Sequence, residues 1–264
     1  MTTEREMVHF EVQDQVATIT LDCVEKRNAL DMVLREQLGA AVRRVRADRE
    51  IRAVVLTGAG GHFCSGGDLK NIGGLEIDTG AWRQRLDNLH EWLRLLLTLD
   101  RPVIAAVDGA AAGAGFSLAL TADFVLATPR AWFNMSFIKV GLVPDVGALY
   151  TLPRVVGVQR AREIMLSGRD ISAQEALQLG IAMELHAPEA LLSRAQAIAR
   201  SFVGASPTAV SIIKRALQDG PPSLAATLET EASGQPVAAG TPAHKAAVSA
   251  FLEKRPMPFV WPKA

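Results

Sequence analysis

Two cysteines in 264 residues, Cys23 and Cys64, stand in unlike sequence contexts. So few thiols exclude a disulfide scaffold and point to a reducing, cytoplasmic setting; no spacing of metal ligands is found. Net charge is also missing. The 28 Lys and Arg balance the 28 Asp and Glu, so no basic field marks the chain for nucleic acid or an anionic membrane, and any bound anion must be met by a local cluster. The opening "MTTEREMVHF" has charges where a signal peptide has an apolar stretch, so none is expected. Nor is a membrane span expected. Residues 102–127 are apolar, but Asp108, Asp123 and frequent glycines interrupt them, whereas a spanning helix needs about 20 nearly uncharged residues. No internal repeat and no low-complexity linker is found.

What is present is an ordinary globular composition, 49% hydrophobic and 21% charged, at a length that suits one large domain or one domain with a helical appendage. "VATITLD" (16–22) alternates and is rich in β-branched residues, so it reads as a strand, with "HFEVQ" as its hairpin partner across Asp14-Gln15. Asp31 opens an amphipathic helix with apolar residues at Val33, Leu34, Leu38, Ala41, Val42 and Val45. "RAVVLTG", "VIAAVDG" and "DFVLAT" are continuously apolar strands. Between them the pattern predicts a helix over about 82–98, with Trp82, Leu86, Leu89 and Leu93 on one face, and a short helix near 113–121. Apolar strands alternating with helices predict an α/β fold, a mostly parallel sheet covered on both faces. The pattern turns helical after residue 147. The expected division is an α/β core over 1–195 and a helical region over 196–264, with the Ala/Gly/Pro-rich residues 232–242 as a loop.

Two glycine-rich turns are candidates for chemistry. "GAGGHFCSGGDL" (58–69) lacks the Lys-Ser/Thr ending of a P-loop and the glycine placement of a dinucleotide fingerprint. Its small residues let a ligand approach backbone N–H groups closely. "DGAAAGAGFSLALTAD" (108–123) places free N–H groups at a helix start. Each alone reads equally well as a turn or as close helix–sheet packing. Together, two backbone donors from separate loops are the parts of an oxyanion hole.

At these residues the chain resembles a known family. "HFCSGGDLK", "RPVIAAVDGAAAGAG", "GLVPDVGALYTLPRVVG" and "SAFLEKR" are similar, in order and spacing from about residue 8 to 255, to motifs of the crotonase superfamily, the enoyl-CoA hydratase/isomerase proteins. The resemblance implies a spiral of repeated β-β-α units, a C-terminal helical region that mediates trimerisation, and homotrimers or hexamers built as dimers of trimers. It implies an acyl-CoA substrate, with coenzyme A as part of that substrate and no other cofactor and no metal. The thioester oxygen would be gripped by the N–H groups of Gly67 and Ala114.

The family's hydratases resemble one another in two glutamates that share activation of water. This sequence has Ser117 and Phe137 at the matching positions, so neither carboxylate is present. One acid remains nearby, Asp145, where enoyl-CoA isomerases and 1,2-epoxyphenylacetyl-CoA isomerases resemble this chain in carrying a catalytic acid. An Asp between Pro144 and Val146-Gly147 also suits a helix N-cap. The apolar neighbours Phe137, Val143 and Val146 would raise its pKa toward a useful value. The expected activity is an isomerase, with hydratase, aryl-CoA dehalogenase-like hydrolysis and non-catalytic CoA binding as alternatives.

Other residues take roles from the same resemblance. His90 would assist Asp145, and equally fits a structural histidine on a partly apolar helix. Phe116, Ser117, Met135 and Phe137 would shape the acyl pocket. Lys26 and Arg27 would meet the CoA phosphates, and Phe251 and Lys254 would reach a neighbouring subunit's adenine and 3′-phosphate. His62 would lie at the surface near CoA, and Asp68 would brace the first loop.

Overall fold

The computed structural model describes residues 5–68, 78–218 and 223–263. Within them the strands, in chain order, are β1 (Val8–Gln13), β2 (Val16–Leu21), β3 (Ala53–Gly58), β4 (Val103–Val107), β5 (Ala110–Ala112), β6 (Phe124–Ala127), β7 (Trp132–Asn134), β8 (Asp170–Ser172) and β9 (Glu184–Leu185). The helices are α1 (Met32–Ala47), α2 (Thr79–Leu97), α3 (Ala114–Ala119), α4 (Ala148–Ser167), α5 (Ala173–Gln178), α6 (Pro188–Ser201), α7 (Pro207–Gln218), α8 (Leu224–Ala239) and α9 (Pro242–Leu252).

The larger sheet has the order β1-β2-β3-β4-β6-β9 and is parallel except for the β1–β2 hairpin. That hairpin turns on Asp14 (φ 50°) and Gln15 (φ 62°). Two consecutive left-handed residues give the turn that matches the twist of paired strands. The smaller sheet, β5-β7-β8, lies beside it.

Continuous apolar strands have both faces buried, and the period of two sorts their side chains. Val54, Leu56, Val103, Ala105 and Val107 join the core beneath α1 and α2. Ala53, Val55, Ile104, Ala106 and Leu126 pack with Leu191, Ala195, Ile198 and Ala199 of α6. A boundary drawn at residue 195 therefore falls inside a helix that covers the sheet.

Caps set the helix starts. Asp31 accepts from the Leu34 N–H, and Asp78 accepts from the Ala81 N–H. The second cap starts α2 three residues before the expected Trp82. Trp92 also belongs to its inner face, 4% exposed, against Gly39 of α1, where a Cβ would lie 2.9 Å from the indole.

Residues 232–239 are not a loop. They continue α8, and only Gly240 and Thr241 separate it from α9. Alanine's high helix propensity outweighs Pro236, which sits in the last turn and so interrupts little of the hydrogen-bond ladder.

Gly115 in α3 shows how tightly the first glycine-rich loop meets that helix. A Cβ there would collide with the backbone carbonyl of Cys64, and backbone cannot swing aside as a side chain can. Gly115→Ala is expected to lower unfolding free energy by roughly 1–3 kcal/mol through overpacking, measured by urea denaturation. A variant as stable as the parent would contradict this close approach.

Candidate active site

The loop after β3 is held from three sides. Asn28, fully buried, donates to the carbonyls of Ala59 (3.0 Å) and His62 (2.7 Å) and accepts from the Cys23 N–H (2.8 Å). The Cys64 N–H donates to Ala110, and Cys64 accepts from Ala112, so the loop is stitched alongside β5. The Leu30 N–H donates to Gly66 (2.7 Å) and the Ser65 N–H to Arg27 (2.9 Å). Gly66 has φ 99°, and a Cβ there would meet the Ala112 carbonyl oxygen at 2.7 Å. Only glycine fits both the conformation and the space.

These bonds leave two donors over. Gly67 and Ala114 both line one cavity of about 260 Å³. Among the described residues neither N–H donates to a protein acceptor. Buried N–H groups are rarely left unpaired, so a cavity edged by two of them is built to receive an acceptor from outside.

Asp145 lines the same cavity. It is not the N-cap of α4. That position is Gly147 (φ 78°), and no side chain caps it. Asp145 Oδ1 is buried and has no hydrogen-bond partner among the described residues. The backbone next to it is strained: Val146, fully buried, has φ 51°, which is costly for a β-branched residue. Burial pushes the Asp145 carboxyl above the ordinary 3.8, while the charges of Arg35, His90 and Arg85 pull it back. Of the apolar neighbours expected to cause this, Phe137 (8% exposed) and Val146 are in place. Val143 is not, being 70% exposed to solvent.

The other candidates separate into two groups. Phe137 lines the cavity with Trp82 and Leu86. Phe116, Ser117 and Met135 do not; they are fully buried beneath it. Phe116 packs on Phe133 with ring centroids 5.2 Å apart. The Ser117 hydroxyl donates to the Gly113 carbonyl (3.2 Å) and lies 3.8 Å from the Met135 sulfur. Helical spacing marked these residues as inward-facing, but could not tell core from cavity.

His90 is exposed on α2 and does not line the cavity. Lys26 is engaged, with its ammonium 2.8 Å from Asp31 and 3.0 Å from Asp68. These two carboxylates push its pKa up and tie the loop to α1. Its charge is therefore already engaged by two carboxylates. Asp68 has the bracing role expected of it. Arg27 is exposed, with its left-handed backbone fixed at φ 52°. Phe251 (71% exposed) and Lys254 lie at the end of α9, outside the cavity wall. The His62 Nδ1 accepts from the Ala110 N–H at 3.3 Å, so this ring helps hold the loop. Among the described residues no cluster of His, Cys, Asp or Glu is placed to hold a metal.

Sequence reading missed Arg35. It is 7% exposed, lines the cavity, and donates from Nε to the Leu30 carbonyl (3.0 Å). A signal existed: Arg35, Leu38, Val42 and Val45 share one helical face, so a cation stood in an apolar stripe.

The raised pKa of Asp145 makes a stability prediction. A carboxyl whose folded pKa exceeds its unfolded value binds its proton more tightly when folded, so stability falls as pH rises through that window. Above it, the ionised, desolvated carboxylate costs stability. Asp145→Asn is expected to raise Tm at pH 7, with the gap closing as pH approaches 4. A lower Tm for the variant at pH 7 would contradict the burial argument.

Comparison with known proteins agrees with this geometry. The family model described as enoyl-CoA hydratase/isomerase matches residues 11–261. A 1,2-epoxyphenylacetyl-CoA isomerase of Escherichia coli K12 is 37% identical over 255 residues, 95% of this chain and 97% of that one. A Rhodobacter capsulatus protein named "Probable enoyl-CoA hydratase" is 38% identical, over 96% of this chain and 97% of its own. The crystal structure of an enoyl-CoA hydratase/isomerase from Cupriavidus metallidurans CH34 superposes with a TM-score of 0.92 at 44% identity, covering 98% of both chains. A spiral α/β core, two unpaired amides at one cavity and a match over nearly the whole length lead to one conclusion: the chain belongs to the enoyl-CoA hydratase/isomerase family, with the crotonase fold.

Proposed function

We propose that this chain is an acyl-CoA isomerase in which Asp145 moves a proton beside a thioester. The observation that carries the reading is the buried Oδ1 of Asp145, in the same cavity wall as the amides of Gly67 and Ala114, all three without a hydrogen-bond partner among the described residues. Removing a proton from the carbon next to a thioester carbonyl places negative charge on the carbonyl oxygen. Two fixed N–H donors stabilise that charge without reorganising, and in other enzymes one such donor is worth about 10²–10³ in rate.

For a 3-enoyl-CoA the step balances with one carboxylate. Asp145 takes a proton from C2, and the electron pair delocalises into a dienolate whose oxygen lies in the hole. The protonated Asp145 then returns the proton to C4, leaving the double bond between C2 and C3. Opening of a strained ring on the acyl group would use the same pair of devices. Neither step needs a metal or redox group. Hydration is disfavoured because the two positions matching the hydratase glutamates hold Phe137 and a Ser117 whose hydroxyl is already bonded to Gly113.

The C-terminal helices support an oligomeric assembly. Leu217, Leu224, Phe251 and Leu252 are each more than 70% exposed, which fits a region that packs against other copies, as trimers of this family do. In that assembly Arg27 of one subunit and Phe251 and Lys254 of another would meet the CoA.

Two substrates test the reaction. The protein is expected to convert 3-hexenoyl-CoA to 2-hexenoyl-CoA and to leave crotonyl-CoA nearly untouched, with Asp145→Asn lowering kcat by about 10²–10⁴. Rapid loss of crotonyl-CoA absorbance without isomerisation would favour a hydratase. An Asp145→Asn protein as active as the parent would remove the proposed base.

A further inference from the structure

Among the described residues the cavity holds more positive charge than Asp145 balances. The charged ones in its lining are Arg35, Arg85, Lys139 and Asp145, three cations to one anion. Arg35 is the most enclosed. Leu30's carbonyl takes one of its five N–H donors, and among the described residues no carboxylate lies within ion-pair distance of it or of Arg85. Glu36 and Glu91 lie on the far side, in the wall of a second hollow that the two arginines also touch. They form no ion pair with either arginine. Burial, then Arg85, disfavours the charge on Arg35, while Asp145 and Asp31 favour it. A guanidinium does not solve this by losing its proton, and an enclosed cation without a carboxylate partner is costly.

Starting from the reading of this cavity as an acyl-CoA site, we propose that the acyl group carries a carboxylate of its own, which Arg35 and Arg85 receive from facing helices α1 and α2. The substrate class is then the mono-CoA thioesters of short dicarboxylic acids. A planar guanidinium fork matches a carboxylate bidentately. The small volume, about 260 Å³, lies below the usual range for drug-sized ligands and suits a short acyl group. The Leu30 carbonyl that fixes Arg35 belongs to the segment paired with Gly66 and Gly67, so the cation and the thioester hole are held in one rigid frame. Asp145 repels an incoming carboxylate, but the surplus of cations outweighs that single charge.

Saturated thioesters test this by binding alone. Pentanoyl-CoA against glutaryl-CoA, and heptanoyl-CoA against pimeloyl-CoA, differ in each pair only by the terminal carboxylate and share all of CoA. Isothermal titration of the full chain is expected to show one dicarboxylic ligand bound roughly tenfold more tightly than its neutral partner, the worth of one charge-assisted bidentate contact. Arg35→Gln is expected to bring that ratio to within about twofold. Should Arg35→Gln fail to fold, Arg85→Gln is read instead and is expected to reduce the ratio.

Equal or tighter binding of both neutral ligands overturns the proposal. So does a variant that weakens both members of a pair equally, which would assign Arg35 to the CoA phosphates. The proton-transfer reading fails separately. A protein that prefers dicarboxylic ligands yet isomerises nothing keeps this inference and loses that one, and one that isomerises 3-hexenoyl-CoA without the preference does the reverse.

Discussion

The structure depends on a close backbone approach: the loop 58–68 lies against β5 and the first turn of α3 with no room for side chains. Cys64 exchanges hydrogen bonds with Ala110 and Ala112, Leu30 anchors Gly66, and Gly66 and Gly115 carry no Cβ where one would strike a carbonyl. Once these bonds are made, the N–H groups of Gly67 and Ala114 have nothing left to bond among the described residues. The unpaired donors are therefore a product of the fold, and the parallel sheet and both its helical layers hold them in position.

Asp145 enters that setting at a cost. Its carboxyl is desolvated, one oxygen lacks a partner among the described residues, and Val146 next to it occupies a left-handed conformation. Arg35 stands against it, itself enclosed and under-paired. Neither group would be chosen for stability. Strain, burial and opposed charges meeting at one cavity are what a site looks like when chemistry has overridden packing.

Much of this was legible in the sequence, for physical reasons that differ by element. Alternation in "VATITLD" and the Asp14-Gln15 pair give the hairpin, and the continuous apolar runs give strands buried on both faces. Asp31 before an apolar stripe gives the start of α1. The two glycine turns and Asp145 are local signals too. What sequence could not give is which inward face meets a cavity. Phe116, Ser117 and Met135 satisfy every helical or apolar criterion and lie in the core, whereas Arg35, a cation on the apolar stripe of α1, lines the cavity. The pairing of Lys26 was not legible because its partners, Asp31 and Asp68, converge only on folding. Residues 232–239 were misread because Gly and Pro weigh heavily in a local reading, while an alanine-rich helix outlasts both.

The central claim is that the free amides and Asp145 together make the carbon beside a thioester acidic. Its most direct measurement uses no double bond at all. Hexanoyl-CoA incubated with the protein in heavy water, followed by proton NMR, reports exchange of the two hydrogens on C2. The expected result is steady loss of that signal with the parent protein and none with Asp145→Asn. Exchange at the same rate in both, or in neither, would contradict the pairing of that carboxylate with those amides.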